Sequence, residues 1–496
     1  MESFGSDGER PSDLRRERRR GRRAGTADPE LAPWAGQLPS GGAHDGAKIG
    51  SGVWEREFNR WLAPFWAALG DMRRRRWGPV YVRGLLGPGD RKSIEPLAAR
   101  VAPDDYAQVH HFICASCWQP EPLERVLAEK AQRMVGGPEA VLIIDDTALL
   151  KQGGRSVGVA RQYAGAAGKT TNCQTLVSLT LARDEVPVCA ALRLFLPAGW
   201  TDDPERCLAV GVPDECLAYR TKLELALAEL DRPQAAGVTW GCVLADAGYG
   251  SSAAFRQALS ARGLTWAVGI PRIQKVYPAD VTTHMPTPAP GARHGRPRRH
   301  PVASVASTPA EQVLAGARWR RLTWRTGTKG PLSARFAAVR IVVADGTQNA
   351  GGQHLPGAAA WLVGEWRDTG ERKYYLTNHP PQTALRSLAA TIKARWSCEQ
   401  AHQQLKEELG LDHFEGRTWL GLHHHALMTL ISFAFLQHLR LQAIRRRGEN
   451  VGDAGRPAAA VAAGDPPRAA RARPLCSSDV RSATGGWCIS RPRRYG

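Results

Sequence analysis

From Trp54 to about Gly137, apolar residues recur at helical spacing. In EREFNRWLAPFWAAL, Phe58, Leu62, Phe65 and Leu69 fall on one side, which predicts an amphipathic helix. MRRRRW, KSIEPLAARV, HHFICAS and PEPLERVLAEKAQRMV continue the helical pattern. From Glu139 to about Val276 the period changes. VLIIDD is a short run, apolar until its last two residues, as suits a strand buried on both faces. QTLVSLTLA and PVCAALRLFLP read as two more strands, joined as a hairpin across ARDEV. YRTKLELALAELDR is an amphipathic helix, and WGCVLADAGYG is a strand ending in a glycine-rich turn. SSAAFRQALSARG is a helix opened by Ser251 or Ser252 and stopped by Gly263, and LTWAVGIP is a further strand. Strands followed by helix, strand, helix and strand predict a mixed α/β sheet.

Residues 277–315 lose periodicity and include the Pro- and Arg-rich MPTPAPGARHGRPRRHP. Strand patterns return between Trp319 and Tyr375, in RWRRLTWR, ARFAAVRIVVA, AAWLVGEW and RKYYLTN. Leu385 to about Arg447 is helical again. The division expected is a disordered basic tail over 1–50, carrying LRRERRRGRR, and a helical, DNA-binding region over 51–137. The first part of a catalytic core follows over 138–276, then a β-rich insertion over 277–384. Helices over 385–447 complete the core, and an Ala-, Gly-, Pro- and Arg-rich disordered tail covers 448–496.

Charge sharpens this picture. The 496 residues carry 67 Lys and Arg against 47 Asp and Glu, a net +20. Such an excess favours a polyanionic partner, since neutralising phosphates releases counterions. An anionic membrane is the rival. It is disfavoured because no strong basic amphipathic helix stands out, and no apolar run of about 18 residues for a bilayer span. No apolar segment follows the basic N-terminal residues, and ten cysteines lie scattered without a framework, which points to a reducing cytoplasm. Cys114 and Cys117 form a CASC pair with no second pair at zinc spacing, so they are expected as two half-buried thiols.

Three carboxylates carry the chemistry. Asp145 and Asp246 each close a short apolar run, and Glu399 lies in the helical RWSCEQAHQQLK. Singly, each has a plain structural role: turn residue, helix cap, solvated helix charge. Together, two strand ends and a helix are what a two-metal phosphoryl-transfer site needs, because several carboxylates must be held on rigid elements. Mg²⁺ suits such an all-oxygen site. Arg395 lies four residues before Glu399 and Lys406 seven after it, on the same helix side, with Gln403 between them; cations there can hold flanking phosphates. Asp146 is an alternative first ligand, since strand alternation sends neighbours to opposite faces.

These residues resemble a known family, the RNase H-like DDE transposases of bacterial insertion sequences, in the cut-and-paste branch. The family's D-x-T is matched by Asp145-Asp146-Thr147, and its A-D-x-G-Y-like turn by Ala245 to Tyr249. Its Y-x2-R-x3-E-x6-K is matched by Arg395, Glu399 and Lys406, with Ile392 in place of the Tyr. RSVGVARQY, LRLFLPAGW and CEQAHQQLKEELGLDHFEGR add to the likeness, which runs from about Trp54 to Leu439. The resemblance implies an α/β (α+β) fold, an RNase H-like mixed sheet flanked by helices. It implies two Mg²⁺ ions, for which Mn²⁺ can substitute, held by Asp145 (or Asp146), Asp246 and Glu399. It also implies binding of double-stranded DNA, as transposon ends and target, and a dimer in the synaptic complex. A bacterial, nucleoid-associated cytoplasmic protein follows, with no membrane partner. The separation of 153 positions from Asp246 to Glu399 exceeds a plain connection and matches the family's β-rich insertion. Trp319, Trp324, Trp361 and Trp366 are candidates to stack on a flipped base there, against the commoner core role.

Arg73, Arg74, Arg75 and Arg76 are the DNA-contact candidates of the helical region. GAAGKT from Gly165 is no phosphate loop, because Tyr163 stands where the first Gly is required. His423, His424 and His425 are adjacent on a helical segment and so diverge, which excludes a three-His metal site. Two other functions stay open: a decayed or regulatory DNA-binding copy, and an endonuclease of the same fold without strand transfer.

Overall fold

The computed structural model describes residues 51–285, 300–327, 330–349 and 352–453. The basic tail over 1–50, residues 286–299 of the Pro- and Arg-rich loop and residues 454–496 lie outside the described residues. Met1–Trp54 group as one unit and Glu55–Gly496 as a second, to which all the described strands belong.

Five helices come first: α1 (Ser51–Ala68), α2 (Met72–Leu86), α3 (Ile94–Val101), α4 (Tyr106–Cys114) and α5 (Glu121–Val135). The predicted apolar side of α1 is its buried side, with Phe58, Leu62 and Phe65 fully inaccessible. Then come β1 (Gly137–Leu150), β2 (Ala160–Ala164), β3 (Lys169–Arg183) and β4 (Val186–Phe195). Asp184 and Glu185, both at positive φ, make the tight turn between β3 and β4. The short α6 (Ala198–Thr201) and α7 (Pro204–Ala209) lead to α8 (Lys222–Ala235), opened by a capping box between Thr221 and Glu224. β5 (Trp240–Ala245), α9 (Ala247–Gly250), α10 (Ala253–Ala261) and β6 (Trp266–Ile270) complete this half. Ser252 caps α10 by accepting from the Phe255 N–H.

The strand order β4-β3-β1-β5-β6 is that of an RNase H-like sheet. β1, β3 and β4 are antiparallel neighbours, and β5 and β6 run parallel to β1. β1 is flanked on both edges and covered on both faces. Leu142, Ile143 and Ile144 are fully buried, which is why their run is unbroken in the sequence.

The inserted strands do not form a separate body. β7 (Lys275–Pro278) and the small β8 (Thr283–His284), β9 (Val302–Ala303) and β10 (Thr308–Pro309) precede α11 (Ala310–Ala315). β11 (Arg320–Gly327), β12 (Gly330–Val343), β13 (Ala359–Trp366) and β14 (Arg372–Thr377) follow. β14 pairs antiparallel with β6, then β13, β12, β7 and β10 follow in order, so one sheet of twelve described strands results. The open edge of β6 is thereby satisfied by backbone pairing. The expected boundary at residue 277 falls inside β7.

α12 (Leu385–Lys393) and α13 (Trp396–Glu407) lie across the join. Leu388, Ala389, Ile392 and Cys398 pack with Ile143 and Leu244 of the first half and with Phe336 and Val363 of the insertion. Ile392, at the family's tyrosine position, is spent in this core.

The last helix, α14 (Trp419–Asp453), corrects two expectations. It runs six residues into the stretch expected to be disordered. It also contains Trp419–Arg446, long and apolar enough by length and composition to cross a membrane, where no such run was expected. In the fold this helix is a spine: Leu422, Met428, Ile431 and Phe435 are buried, with His424, His425, Thr429 and Ser432 buried among them. The three adjacent histidines diverge as expected. His423 bonds the Trp419 carbonyl, and His424 sets its two ring nitrogens against the carbonyls of Ile113 and Trp118, to one of which it donates. His425 bonds the Tyr81 hydroxyl and the Gly410 carbonyl. Gly165–Lys169 form the turn of the β2–β3 hairpin. Of the CASC pair, Cys114 is half-buried but Cys117 is exposed, contrary to expectation. Cys117 lies beyond the last turn of α4, where no apolar face claims it.

Candidate active site

Ile144 of β1 and Ala245 of β5 are register partners on adjacent parallel strands. The next residues, Asp145 and Asp246, lie just past the last β1–β5 register pair: Asp246 follows the end of β5, whereas Asp145 stands inside β1, which runs on to Leu150 against β3. Asp246 leaves its strand to cap α9, its Oδ1 accepting from the N–H groups of Gly248 (2.9 Å) and Tyr249 (3.2 Å). The turn it caps folds over Gly269 of β6. A Cβ at Gly269 would meet the Ala247 nitrogen at 2.8 Å and the Asp246 carbonyl carbon at 3.1 Å.

Asp145 keeps its backbone pairing with Ser178 of β3. Its side chain is 15 % exposed; Oδ1 accepts from the Asp146 N–H at 2.9 Å and Oδ2 from Arg395 Nη1 at 2.6 Å. Burial pushes its carboxyl up to about 6, against the pull of Arg395 and the Asp146 N–H, and the charges of Asp246 and Asp146 add to the push. Arg395 opens α13, and its other amino group reaches Glu399 one turn on. Burial opposes the charge on Arg395, but Asp145, Glu399 and Asp246 together hold it more firmly protonated than usual. Glu399 is 60 % exposed. Arg395 thus bridges Asp145 and Glu399, far apart in the chain, and feels the charge of Asp246 as well.

Asp146 faces the other way. Its Oδ2 pairs with Lys222 of α8 at 2.6 Å and its Oδ1 accepts from the Tyr249 hydroxyl at 2.5 Å. Burial, then the Asp146 charge, keep the Tyr249 phenol protonated. Gln403 is exposed and donates to Glu407 at 2.9 Å. Lys406 is half-buried; burial lowers its pKa, opposed by Asp412. At about 1.5 Å per residue it sits roughly 10 Å along the helix from Glu399. On α2, Arg73, Arg75 and Arg76 are exposed and Arg74 is half-buried. Arg76 pairs with Asp105 at 3.4 Å. The four tryptophans of the insertion are all half-buried. Trp324 packs edge-on to Phe336, Trp361 donates to the Pro380 carbonyl, and Trp319 meets Trp366 edge-on. Arg335 and Arg372 flank Trp366 at 5.1 Å and 4.3 Å.

Two clusters escaped the sequence reading. Beneath the carboxylates, Cys398 and His402 point from α13 onto β3. His402 Nε2 lies 2.8 Å from Ser178 Oγ, and Cys398 Sγ lies 3.4 Å from Thr180 Oγ1. Burial pulls the His402 imidazole down to about 3, so it is neutral. Their spacing of four residues was visible in the sequence; the face they occupy was not. Beside the site, the fully buried Glu365 bonds Lys393 (2.8 Å), Arg367 (2.9 Å) and the Tyr375 hydroxyl (2.9 Å). No spacing links those four.

The donor set of Asp145, Asp246 and Glu399 is all oxygen, which fits a hard divalent ion. Asp145 also belongs to a second grouping, with Cys398 and His402, whose ligand atoms all lie within 4.8 Å of one another.

Comparison with known proteins gives the family. The family model described as DDE superfamily endonuclease matches residues 64–331, more than half of the chain. The matched span holds Asp145 and Asp246 and ends before Glu399. A probable transposase for insertion sequence element IS701 from Microchaete diplosiphon is 30 % identical over 169 residues, covering 34 % of this chain and 41 % of that one. The match thus spans about two fifths of that curated relative. Among solved structures, a piggyBac transposase synaptic complex with hairpin DNA aligns at a TM-score of 0.36 and 11 % identity, over 75 % of this chain and 66 % of that chain.

Proposed function

The chain belongs to the DDE superfamily of endonucleases, and from that premise we propose that it is the transposase of an insertion sequence. In this reading it binds the terminal inverted repeats of its element, cuts DNA at their ends and joins the freed ends to target DNA. The observation that carries the reading is that Arg395 pairs with both Asp145 and Glu399, with Asp246 beside Asp145 on the adjacent strand, in a chain of net charge +20.

Asp145, Asp246 and Glu399 would hold the divalent ions, Mg²⁺ by preference. When bound, such ions activate water and stabilise the leaving 3′-oxygen. The chain's own groups do the rest. The Gly248 and Tyr249 N–H groups fix the Asp246 carboxylate, and the Asp146 N–H fixes one oxygen of Asp145. Arg395, already between two carboxylates, is the cation set to meet a phosphate brought to them. Gln403 and Lys406 extend that helix side along the DNA, and Arg73, Arg74, Arg75 and Arg76 add contacts to phosphates elsewhere. Bringing two ends together requires at least a dimer in the active complex.

The test is cleavage of a DNA fragment bearing the inverted repeats that flank the gene, with Mg²⁺, by wild type and Glu399→Gln. Cuts at the repeat boundary, lost in the variant, are expected. Specific binding without cutting by wild type would replace this reading with a regulatory or decayed copy. Cutting without joining would leave an endonuclease of the same fold.

A further inference from the structure

Two α13 residues that the proposed reaction does not use point into the sheet next to one that it does. We infer that Cys398, His402 and Asp145 form a second metal site, for a soft or borderline transition-metal ion of the zinc class, and that its occupation takes Asp145 from the hard-ion site. The inhibitory half rests on Asp145 being a catalytic ligand; the binding half does not.

Spacing by four residues puts Cys398 and His402 one helical turn apart on the same face. Both are buried, at 0 % and 8 % exposure. Cys398 Sγ and His402 Nε2 are 3.6 Å apart. With zinc bonds of about 2.3 Å to sulfur and 2.0–2.1 Å to nitrogen at a tetrahedral angle, two ligands on one ion stand roughly 3.6 Å apart. The sulfur and nitrogen are therefore already at the separation that one ion demands. An Asp145 oxygen completes the set within 4.8 Å, a distance that a side-chain rotation can close. Ser178 Oγ, 2.8 Å from the same nitrogen, gives up that bond when the nitrogen takes an ion and is then at hand as a fourth donor.

The chemistry of the donors selects the ion. Sulfur, nitrogen and one carboxylate suit zinc and its neighbours, whereas Mg²⁺ favours oxygens and keeps its waters. The two sites exclude each other through Asp145. Its Oδ1 is held by the Asp146 N–H and its Oδ2 by Arg395, so either ion must draw an oxygen from its present partner and both cannot have it. Cys398 itself has no exposed surface, so an ion reaches it only by way of its two partners. On binding, the thiol becomes a thiolate and its proton passes to solvent.

Cobalt(II) titrated into the full-length protein without DNA reads the site directly, through the near-ultraviolet band of a thiolate–cobalt bond. Ten cysteines are present, so the readout is the difference between wild type and two variants, Cys398→Ser and His402→Gln. The glutamine keeps a polar group for Ser178 and carries the test should the serine variant fail to fold. The expected result is one equivalent of the band in wild type, lost in both variants. Zinc should also stop Mg²⁺-driven cleavage by wild type at concentrations that Cys398→Ser withstands. Identical cobalt spectra in all three proteins would overturn the site, and equal zinc sensitivity would overturn the competition. If no protein cuts DNA yet the band behaves as expected, the transposase reading fails and the metal site stands.

Discussion

Replacing Asp145 with Asn should make the protein more stable while abolishing its chemistry. The carboxyl of Asp145 is raised from its ordinary value of 3.8 to about 6 in the fold, with burial as the main cause. Between those values the folded chain binds more protons at this position than the unfolded chain does. Stability therefore falls as pH rises through 3.8 toward 6, and the loss is complete above 6. Two units at 1.36 kcal/mol each correspond to about 3 kcal/mol at pH 8, shrinking to about 1 kcal/mol at pH 4.5. Solvent screening takes little from this, since the side chain is 15 % exposed. Asparagine is neutral at every pH and of the same shape, so it escapes the penalty. The loss of attraction to Arg395 is already contained in the net shift. Urea unfolding of wild type and Asp145→Asn, in chelator, at pH 4.5, 6 and 8, measures the gap. A variant no more stable than wild type at pH 8, or a gap that fails to narrow by pH 4.5, would refute the reasoning. Saturating Mg²⁺ should raise the wild-type midpoint and leave the variant's unchanged.

Other substitutions test neighbouring claims. Asp146→Asn weakens the pairing with Lys222 and should cost about 1–2 kcal/mol of stability, with cleavage retained; its effects are thus opposite in sign to those of Asp145→Asn, and a cleavage assay beside a melt checks both. Arg395→Gln frees the Asp145 and Glu399 oxygens that it now occupies. Mn²⁺ binding without DNA, followed by calorimetry, should tighten by about tenfold, the equivalent of roughly 1.4 kcal/mol, while affinity for DNA ends falls. Gly269→Ala forces the Asp246 turn off β6 and should destabilise by about 1–3 kcal/mol, with loss of Mn²⁺ affinity; an unchanged melt would show that the turn can move aside. Glu399→Gln should leave the melt unchanged, since the side chain is 60 % exposed, and lower cleavage by at least about a hundredfold.

Much of this was legible in the chain. The unbroken VLIIDD run announces a strand enclosed on both sides, and the helical periodicity of α1 and α8 follows from one buried stripe. The ends of apolar runs pointed to Asp145 and Asp246; that β1 carries on past Asp145 to Leu150 was not legible, because its pairing there is with the distant β3. The spacing of Arg395, Glu399 and Lys406 along a helix was equally plain. Where pattern misled, longer-range packing was the cause. The strands after Trp319 read as an insertion, and that they continue the sheet from β6 was not legible there, since any hairpin can satisfy an open edge. The apolar run in α14 went unmarked because histidines, Thr429 and Ser432 interrupt it; partners from α2, α4 and the loop after α4 satisfy two of those histidines.

The sequence by itself determined the elements, their periods and the carboxylates that close their apolar runs, because these depend on neighbours within a few residues. Alternation also required Asp145 and Asp146 to face opposite ways. It could not say which faced the chemistry, because a face is defined by what packs on it. α13 covers one side, more than two hundred residues later in the chain, and α8 the other. Only the tertiary structure set Asp145 under Arg395 and Glu399, gave Asp146 to Lys222 and Tyr249, and laid Cys398 and His402 against Ser178. Those relations exist only once distant segments share one sheet.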